Sequence, residues 1–352
     1  MDHKVITIKE QISAAIEQGE PLKIVGGNSK AFLGRNVVGK QIDMADYTGV
    51  ISYEPTELYI TVKAGSLLSD VKKVLAEKNQ MLAFEPPEVN EKTTMGGVVA
   101  TGLSGPRRPY AGSVRDFVLG VRCINGLAKE MSFGGQVIKN VAGYDLSRLL
   151  TGSYGTLGII LEVTLKVLPV PEFELTGCQA MSIQSALDMM HALSAKSVPV
   201  SASCYDGKML FIRFSGNEKN VKDTLREFNL EEYSNGIYFW NELRDFKLPF
   251  FHTDSPIWRL SVPSTADLDI DEDKCLIDWG GAQYWFISER PANEVFTMAE
   301  KAGGSALLFR GGDRNGDVFQ PLSDGLFKLQ QNLKQAFDPH RILNSEKMYK
   351  NL

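Results

Sequence analysis

Residues 85 to 169 read EPPEVNEKTTMGGVVATGLSGPRRPYAGSVRDFVLGVRCINGLAKEMSFGGQVIKNVAGYDLSRLLTGSYGTLGIILEVTLKVLP. The glycines fall in groups: Gly96-Gly97; Gly102, Gly105 and Gly112; Gly134-Gly135 and Gly143; Gly152, Gly155 and Gly158. Glycine permits close backbone approach but loses more freedom on folding than any other residue. A chain that accepts this loss repeatedly in one region is making room for something. Within the stretch, Met95 to Thr101 has helical character opened by glycine, and its first N–H groups are expected to be unpaired and open to an anion. Asn125-Gly126 signals a hairpin between 117–124 and 129–133. Leu146, Leu149 and Leu150 suggest a short helix closed by Gly152, and 158–168 a long buried strand.

Outward toward the N-terminus, Leu22 to Val25 is a β-prone run feeding Gly26-Gly27-Asn28-Ser29-Lys30. Such a turn directs successive backbone N–H groups into a concavity suited to phosphate oxygens, although a plain tight turn has the same composition. No G-x-x-x-x-G-K-[ST] occurs, and the pair at 26 does not continue as G-x-G-x-x-G, which excludes a P-loop and a dinucleotide Rossmann fingerprint. Ile8, Ile12, Ala15 and Ile16 mark an amphipathic helix stopped by Gly19 and Pro21. Residues 50–62 read as a hairpin, and Ser66 as the N-cap of a helix carrying Leu67, Val71 and Leu75. Pro169 and Pro171 mark a boundary, because glycine density falls after them. Beyond lie strands and helices suited to an antiparallel sheet covered by helices: a helix on Ile183 to Leu193, a hairpin at Asp206-Gly207, a helix on Val221 to Phe228, strands at 258–262, 276–279 and 283–287, and helices at 292–302 and 322–337.

The chain has 352 residues, enough for two domains, with 38 Lys and Arg against 43 Asp and Glu. No block of like charge exists, so nucleic acid is a poor partner. Cys123, Cys178, Cys204 and Cys275 form no C-x-x-C pair, which argues against zinc or an iron–sulfur cluster in this chain. Neither a signal peptide nor an apolar run of bilayer length is present, so the expected location is the cytoplasm, peripheral at the inner membrane only through partners.

Several segments together resemble the FAD-binding domain of the vanillyl-alcohol oxidase/p-cresol methylhydroxylase (PCMH) superfamily, and within it the FAD-binding subunits of glycolate oxidase (glycolate dehydrogenase). They are Gly26 to Lys30, Thr94-Met95-Gly96-Gly97, the LSGPRRP run from Leu103, Ser113-Val114-Arg115-Asp116-Phe117, the KNVAGYDL run from Lys139, and Gly155-Thr156-Leu157-Gly158. The resemblance implies an α+β fold: a two-subdomain PCMH-type FAD-binding domain over 1–170, then an α+β cap with an antiparallel sheet over 171–352 whose C-terminal segment returns to the first domain. It implies FAD held by Gly26, Gly27, Asn28, Ser29, Lys30, Thr94, Gly96 and Gly97 at the pyrophosphate, by Ser104, Gly105, Tyr110 and Gly112 nearer the ring, and by Gly158 and Ile159 at the adenine end. Covalent members of the superfamily carry histidine where this chain has Asn28, so a non-covalent flavin is expected.

Related 2-hydroxy acid dehydrogenases carry a histidine-rich cap motif that this chain lacks. His3, His191, His252 and His340 are scattered, and Gly311-Gly312-Asp313-Arg314 reads as a turn. Arg107 and Arg108 suit a substrate carboxylate, a solvated face or a subunit contact alike. The pairs Phe239-Trp240, Phe250-Phe251 and Trp285-Phe286 suit a core or an interface. With no base and no carboxylate-orienting group recognisable, the chain is not expected to oxidise glycolate alone. The resemblance implies a subunit beside a larger FAD-bearing catalytic subunit and an iron–sulfur subunit, serving a small hydroxy acid substrate. The alternatives are a self-sufficient dehydrogenase of another small hydroxy acid or alcohol, and a structural subunit with an unreactive flavin.

Overall fold

The computed structural model describes residues 2–135 and 146–352. Lys139 to Asp145, which carry most of one family segment, lie outside the described residues.

Strand Ile159–Lys166 is the middle of a five-stranded antiparallel sheet in the order Val50–Glu54, Tyr59–Lys63, Ile159–Lys166, Val118–Ile124, Glu130–Gly134. Its apolar run is covered on both faces, as expected of a central strand rich in β-branched residues. Helix His3–Gln18 lies against this core through Val5, Ile8, Ile12 and Ala15. Asp2 caps the helix by accepting from the Lys4 N–H, and Gly19 ends it at φ 65°, a value glycine adopts without strain. Beside the sheet, Leu22–Val25 pairs in parallel with Lys40–Asp43, a strand the sequence pattern does not announce. Leu22 also bridges in parallel to Leu343, so the C-terminal segment runs beside the first strand.

An eight-stranded antiparallel sheet follows, in the order Glu231–Glu232, Phe173–Ala180, Met209–Gly216, Val200–Tyr205, Cys275–Asp278, Gln283–Ile287, Ile257–Ser261, Ser305–Arg310. Helices Ile183–Ser194, Glu218–Glu227 and Ala292–Lys301 cover one face through Ala186, Met190, Val221, Val295 and Phe296. The other face carries Cys204, Phe211, Leu276 and Trp285, packed against helix Gly236–Arg244 and against Leu33, Leu103 and Tyr154 of the first half. The paired aromatics are core: Phe239 and Trp240 belong to this seam cluster, and Trp285 and Phe286 point to opposite faces of their strand.

Two local expectations change. Ser66 is not the cap of its helix, which begins at Leu68; its hydroxyl instead accepts from the Gly49 N–H at 2.9 Å. The 118–134 hairpin turns over Asn125 to Lys129, with Ala128 rather than Gly126 in the left-handed region. Gly126 answers a different demand: a Cβ there would stand 2.3 Å from Asp338 Oδ1, because the end of helix Asp324–Phe337 closes on it.

Candidate functional site

The loop after strand Leu22–Val25 is built from the backbone. Asn28 sits at φ 53°, and none of the N–H groups of Gly26 through Lys30 finds an acceptor among the described residues. Five unsatisfied donors in succession form a nest for an anion. Gly27 is glycine because a Cβ would lie 1.3 Å from the Lys92 carbonyl oxygen; the loop is pressed onto its neighbour as well as opened to its ligand.

The cavity beneath the loop measures about 210 Å³ and is walled by Gly26, Gly27, Asn28, Ser29 and Lys30 together with Thr94, Gly96, Gly97 and Gly158. Lys23, Lys30 and Lys347 reach its lining, and no carboxylate does. Lys30 is 8% exposed, and its ammonium has no hydrogen-bond partner among the described residues. Burial pushes it down to about 8, with Asp245 and Glu88 pulling in the opposite direction. Lys347 is likewise pushed down to about 8 by burial and by the nearby Lys23 and Arg314 cations. A buried cation with no hydrogen-bond partner is costly unless an anion arrives. Donors without acceptors and a cavity lined by lysines and no carboxylate fit the pyrophosphate of FAD.

Helix Met95–Thr101 contributes differently from the expectation. The N–H of Met95 donates to the Ser66 carbonyl at 2.9 Å, that of Gly96 to the Ala64 carbonyl at 2.7 Å, and Thr94 caps Gly97. Its first turn is satisfied by the neighbouring loop, so its donors are not free for an anion. What it supplies is a close, smooth wall.

Ser104, Gly105, Tyr110 and Gly112 do not line this cavity. Ser104 accepts from the Val114 N–H at 3.0 Å, and Gly112 stands over Asp116. Gly105 and Tyr110 lie at the seam: the Gly105 carbonyl accepts from Trp279 Nε1 at 3.1 Å, and the Tyr110 hydroxyl is 3.4 Å from Ser203 Oγ. Ile159 is fully buried in the core, and by strand alternation Ile160 reaches the cavity instead. The sequence reading missed Asn344, Lys347, Tyr154 and Thr101. Asn344 ties the site together, accepting from the Ile24 N–H at 2.8 Å and donating to the Tyr154 carbonyl at 2.7 Å. Nothing local to residue 344 signals a partner 320 positions away.

The seam is fastened by charge. Glu85 accepts from Arg107 Nε at 3.3 Å and pairs with Arg213 Nη2 at 2.8 Å, while Arg107 also pairs with Glu174 of the eight-stranded sheet. Arg107 is 7% exposed and is neither a solvated face nor free for substrate. Arg108 differs, stacking over the Trp279 ring at 4.3 Å. His191 is held by the Ser264 carbonyl at 2.9 Å. The four cysteines are free and buried, and no metal-binding group of His, Cys, Asp and Glu occurs among the described residues.

Residues 4–134 match the FAD binding domain family. The chain is 45% identical over 343 residues to glycolate oxidase subunit GlcE of Escherichia coli, covering 97% of each protein. It is 36% identical to a D-lactate dehydrogenase of Anaerostipes hadrus over 38% of this chain and 28% of that one. Among solved structures, p-cresol methylhydroxylase with substrate bound superposes with TM-score 0.74 at 14% identity, over 99% of this chain and 88% of that one. Alkyldihydroxyacetonephosphate synthase gives 0.67 at 17% identity, over 97% and 75%.

Proposed function

Because the chain belongs to the family of FAD-binding glycolate oxidase subunits, within the PCMH-type flavoproteins, we propose that it is the second flavoprotein subunit of a complex that oxidises glycolate to glyoxylate. It is an FAD-dependent oxidoreductase acting on CH–OH groups. The bound flavin supplies the two-electron redox chemistry; the chain supplies position and electrostatics. The observation that carries the cofactor assignment is the cavity with five acceptor-free N–H groups, three lysines and no carboxylate. Gly26 through Lys30 hold the pyrophosphate, with Lys347 as a second cation. Thr94, Gly96, Gly97 and Gly158 shape the wall. Ser104, Gly105, Tyr110 and Gly112 lie toward the seam, where the ring end belongs, and residues 171–352 form the cap over it. Ile159 supports the adenine end through the core rather than by contact.

Asn28 in place of a histidine makes the flavin non-covalent, so acid precipitation releases it into the supernatant. The partners are a larger FAD-bearing subunit and an iron–sulfur subunit that accepts electrons. The setting is cytoplasmic, with membrane contact through the complex; among the described residues no helix is long and apolar enough to cross a bilayer. Stopped-flow absorbance of the assembled complex, with only this subunit's flavin replaced by a spectrally shifted analogue, tests the role. Glycolate is expected to bleach that band within turnover. A band that stays oxidised throughout overturns the electron-relay role and leaves a structural cofactor.

A further inference from the structure

The cavity at the glycine loop is finished for one part of the cofactor. A site that encloses a single drug-sized ligand measures about 300–1,000 Å³; at about 210 Å³ this cavity takes only a portion of FAD. Among the described residues its walls come from positions 23–160 and from Asn344 and Lys347, and none from 171–343. The phosphate end is therefore built and open. Toward the ring end the two halves of the chain meet in direct contact.

Those contacts occupy the groups that lie toward the ring. The Gly105 carbonyl is already taken by Trp279, and the Tyr110 hydroxyl already stands against Ser203. Tyr154, which lines the cavity, packs edge-on against Phe319 with ring centroids 5.3 Å apart. Beside them four charges alternate across the seam: Glu85 and Arg107 from the first half, Arg213 and Glu174 from neighbouring strands of the eight-stranded sheet. Ser215 Oγ accepts from Arg107 Nη1 at 3.3 Å and donates to Glu174 at 2.6 Å, which ties the pair further. A second fastening runs from the Glu88 N–H to Asp245 Oδ1 at 2.7 Å, at the end of helix Gly236–Arg244. Lys30 feels the charge of both Asp245 and Glu88, so the phosphate cradle and this fastening are electrostatically joined. An aromatic ring cannot pass between surfaces packed to the density of a protein interior. The halves must part before it enters.

We propose that Glu85, Arg107, Arg213 and Glu174 form a latch that opens for flavin loading: the cavity takes the adenosine diphosphate half with the latch closed, and the two halves then part to admit the ring and close behind it. The placing of the ring at the seam rests on the family reading above; the latch comes from the ion pairs. Two consequences distinguish it from a preformed site. Uptake has a second step whose rate does not depend on FAD concentration, because it is an opening of the protein. Adenosine diphosphate, which needs no opening, competes for the first step, and flavin leaves the loaded chain only as fast as the latch opens.

Stopped-flow quenching of flavin fluorescence on mixing FAD with the flavin-free full chain, and recovery of that fluorescence on chasing the loaded chain with excess adenosine diphosphate, read the two directions. A fast phase that rises with FAD and is suppressed by adenosine diphosphate is expected, followed by a slow phase that levels off. Glu174→Gln keeps the shape and leaves Arg107 paired with Glu85. It is expected to speed both the slow phase and the release roughly tenfold, the share of one hydrogen bond to a charged group, with adenosine diphosphate affinity unchanged. Ser215→Ala, which removes only the bridging hydroxyl, is expected to shift release in the same direction by a smaller factor. A general loss of stability would weaken adenosine diphosphate binding as well, and that result overturns the latch. So does a single phase that rises linearly to the highest FAD concentration, a lack of competition by adenosine diphosphate, or release from Glu174→Gln at the wild-type rate. One-step FAD binding overturns the latch alone; a chain that binds adenosine diphosphate but no FAD overturns the latch and the cofactor reading together.

Discussion

The chain gathers polar groups in two places, and they are built from different material. The 26–30 cradle is backbone: consecutive N–H groups, one residue at positive φ, and glycine where a Cβ would strike Lys92. The seam cluster of Glu85, Arg107, Arg213 and Glu174 is side chain, drawn from both halves of the chain and brought together only by the fold. A backbone site must write itself into the sequence, because only certain residues permit the conformation. A side-chain cluster leaves no local mark, since each member looks like any other charged residue.

That contrast breaks most sharply at Gly27. Gly27→Val places a branched side chain where the Lys92 carbonyl already sits, and the purified protein is expected to release no flavin on acid treatment. At Gly97 the nearest obstacle to a Cβ is Thr94 Oγ1 at 3.2 Å, so Gly97→Ala is expected to retain flavin with reduced affinity. Equal retention by both variants would remove the steric argument for the loop.

Side-chain clusters are expected to fail in stability. Glu85→Ala leaves Arg213, 7% exposed, without its carboxylate at the seam. Stranding a buried charge costs about 3–5 kcal/mol, read as a lower urea midpoint at unchanged slope. A loss below about 1 kcal/mol would mean that water reaches Arg213.

A smaller and oppositely signed effect is expected at Lys30. Lys30→Met removes a buried ammonium that has no hydrogen-bond partner among the described residues, so the flavin-free protein should melt higher than wild type while FAD affinity falls roughly tenfold. Melting and fluorescence quenching on the same samples check the pair of signs. Both moving in one direction would place the cation elsewhere.

The smallest effect is a proton count. Burial pushes Lys30 and Lys347 down to about 8 from the usual 10.5, so between these values the unfolded chain binds more protons than the folded one. Stability of the flavin-free protein should therefore rise with pH across that window. Phosphates restore the charged form, so FAD binding at pH 8.5 should take up protons, and affinity should fall as pH rises beyond 8. Calorimetry in two buffers of different ionisation heat measures the uptake; none would disconnect these lysines from the phosphates.

What could be read in advance follows the same division. The glycine loop, the helix at Met95 and the long strand at Ile159 were legible, because each depends on local spacing. Helix Gly236–Arg244 was not, since Ile237, Tyr238, Phe239 and Trp240 are β-prone and declare a helix only through burial of Phe239, Trp240 and Leu243. Strand Lys40–Asp43 is short and polar, and its pairing is decided by Leu22–Val25 rather than by its own pattern. Arg107 suited a substrate carboxylate, a solvated face or a subunit contact alike until Glu85 and Glu174 closed on it from either side of the seam. The helix start at Met95 was found, but its donors were misjudged, because Ala64 and Ser66 lie on another element.

The contacts of residues 334–344 bear on the order in which the cavity can form. Lys334 donates to the carbonyls of Thr156 and Leu343, Leu343 lies beside Leu22, and Asn344 links Ile24 to Tyr154. Strand Leu22–Val25 thus waits for residues some 320 positions further along the chain. A nascent chain can assemble the five-stranded sheet early, but its cofactor cavity lacks a wall until Asn344 and Lys347 have emerged. Flavin loading therefore follows the synthesis of that segment, and a chain without residues 343–347 carries every glycine of the cradle and cannot close it.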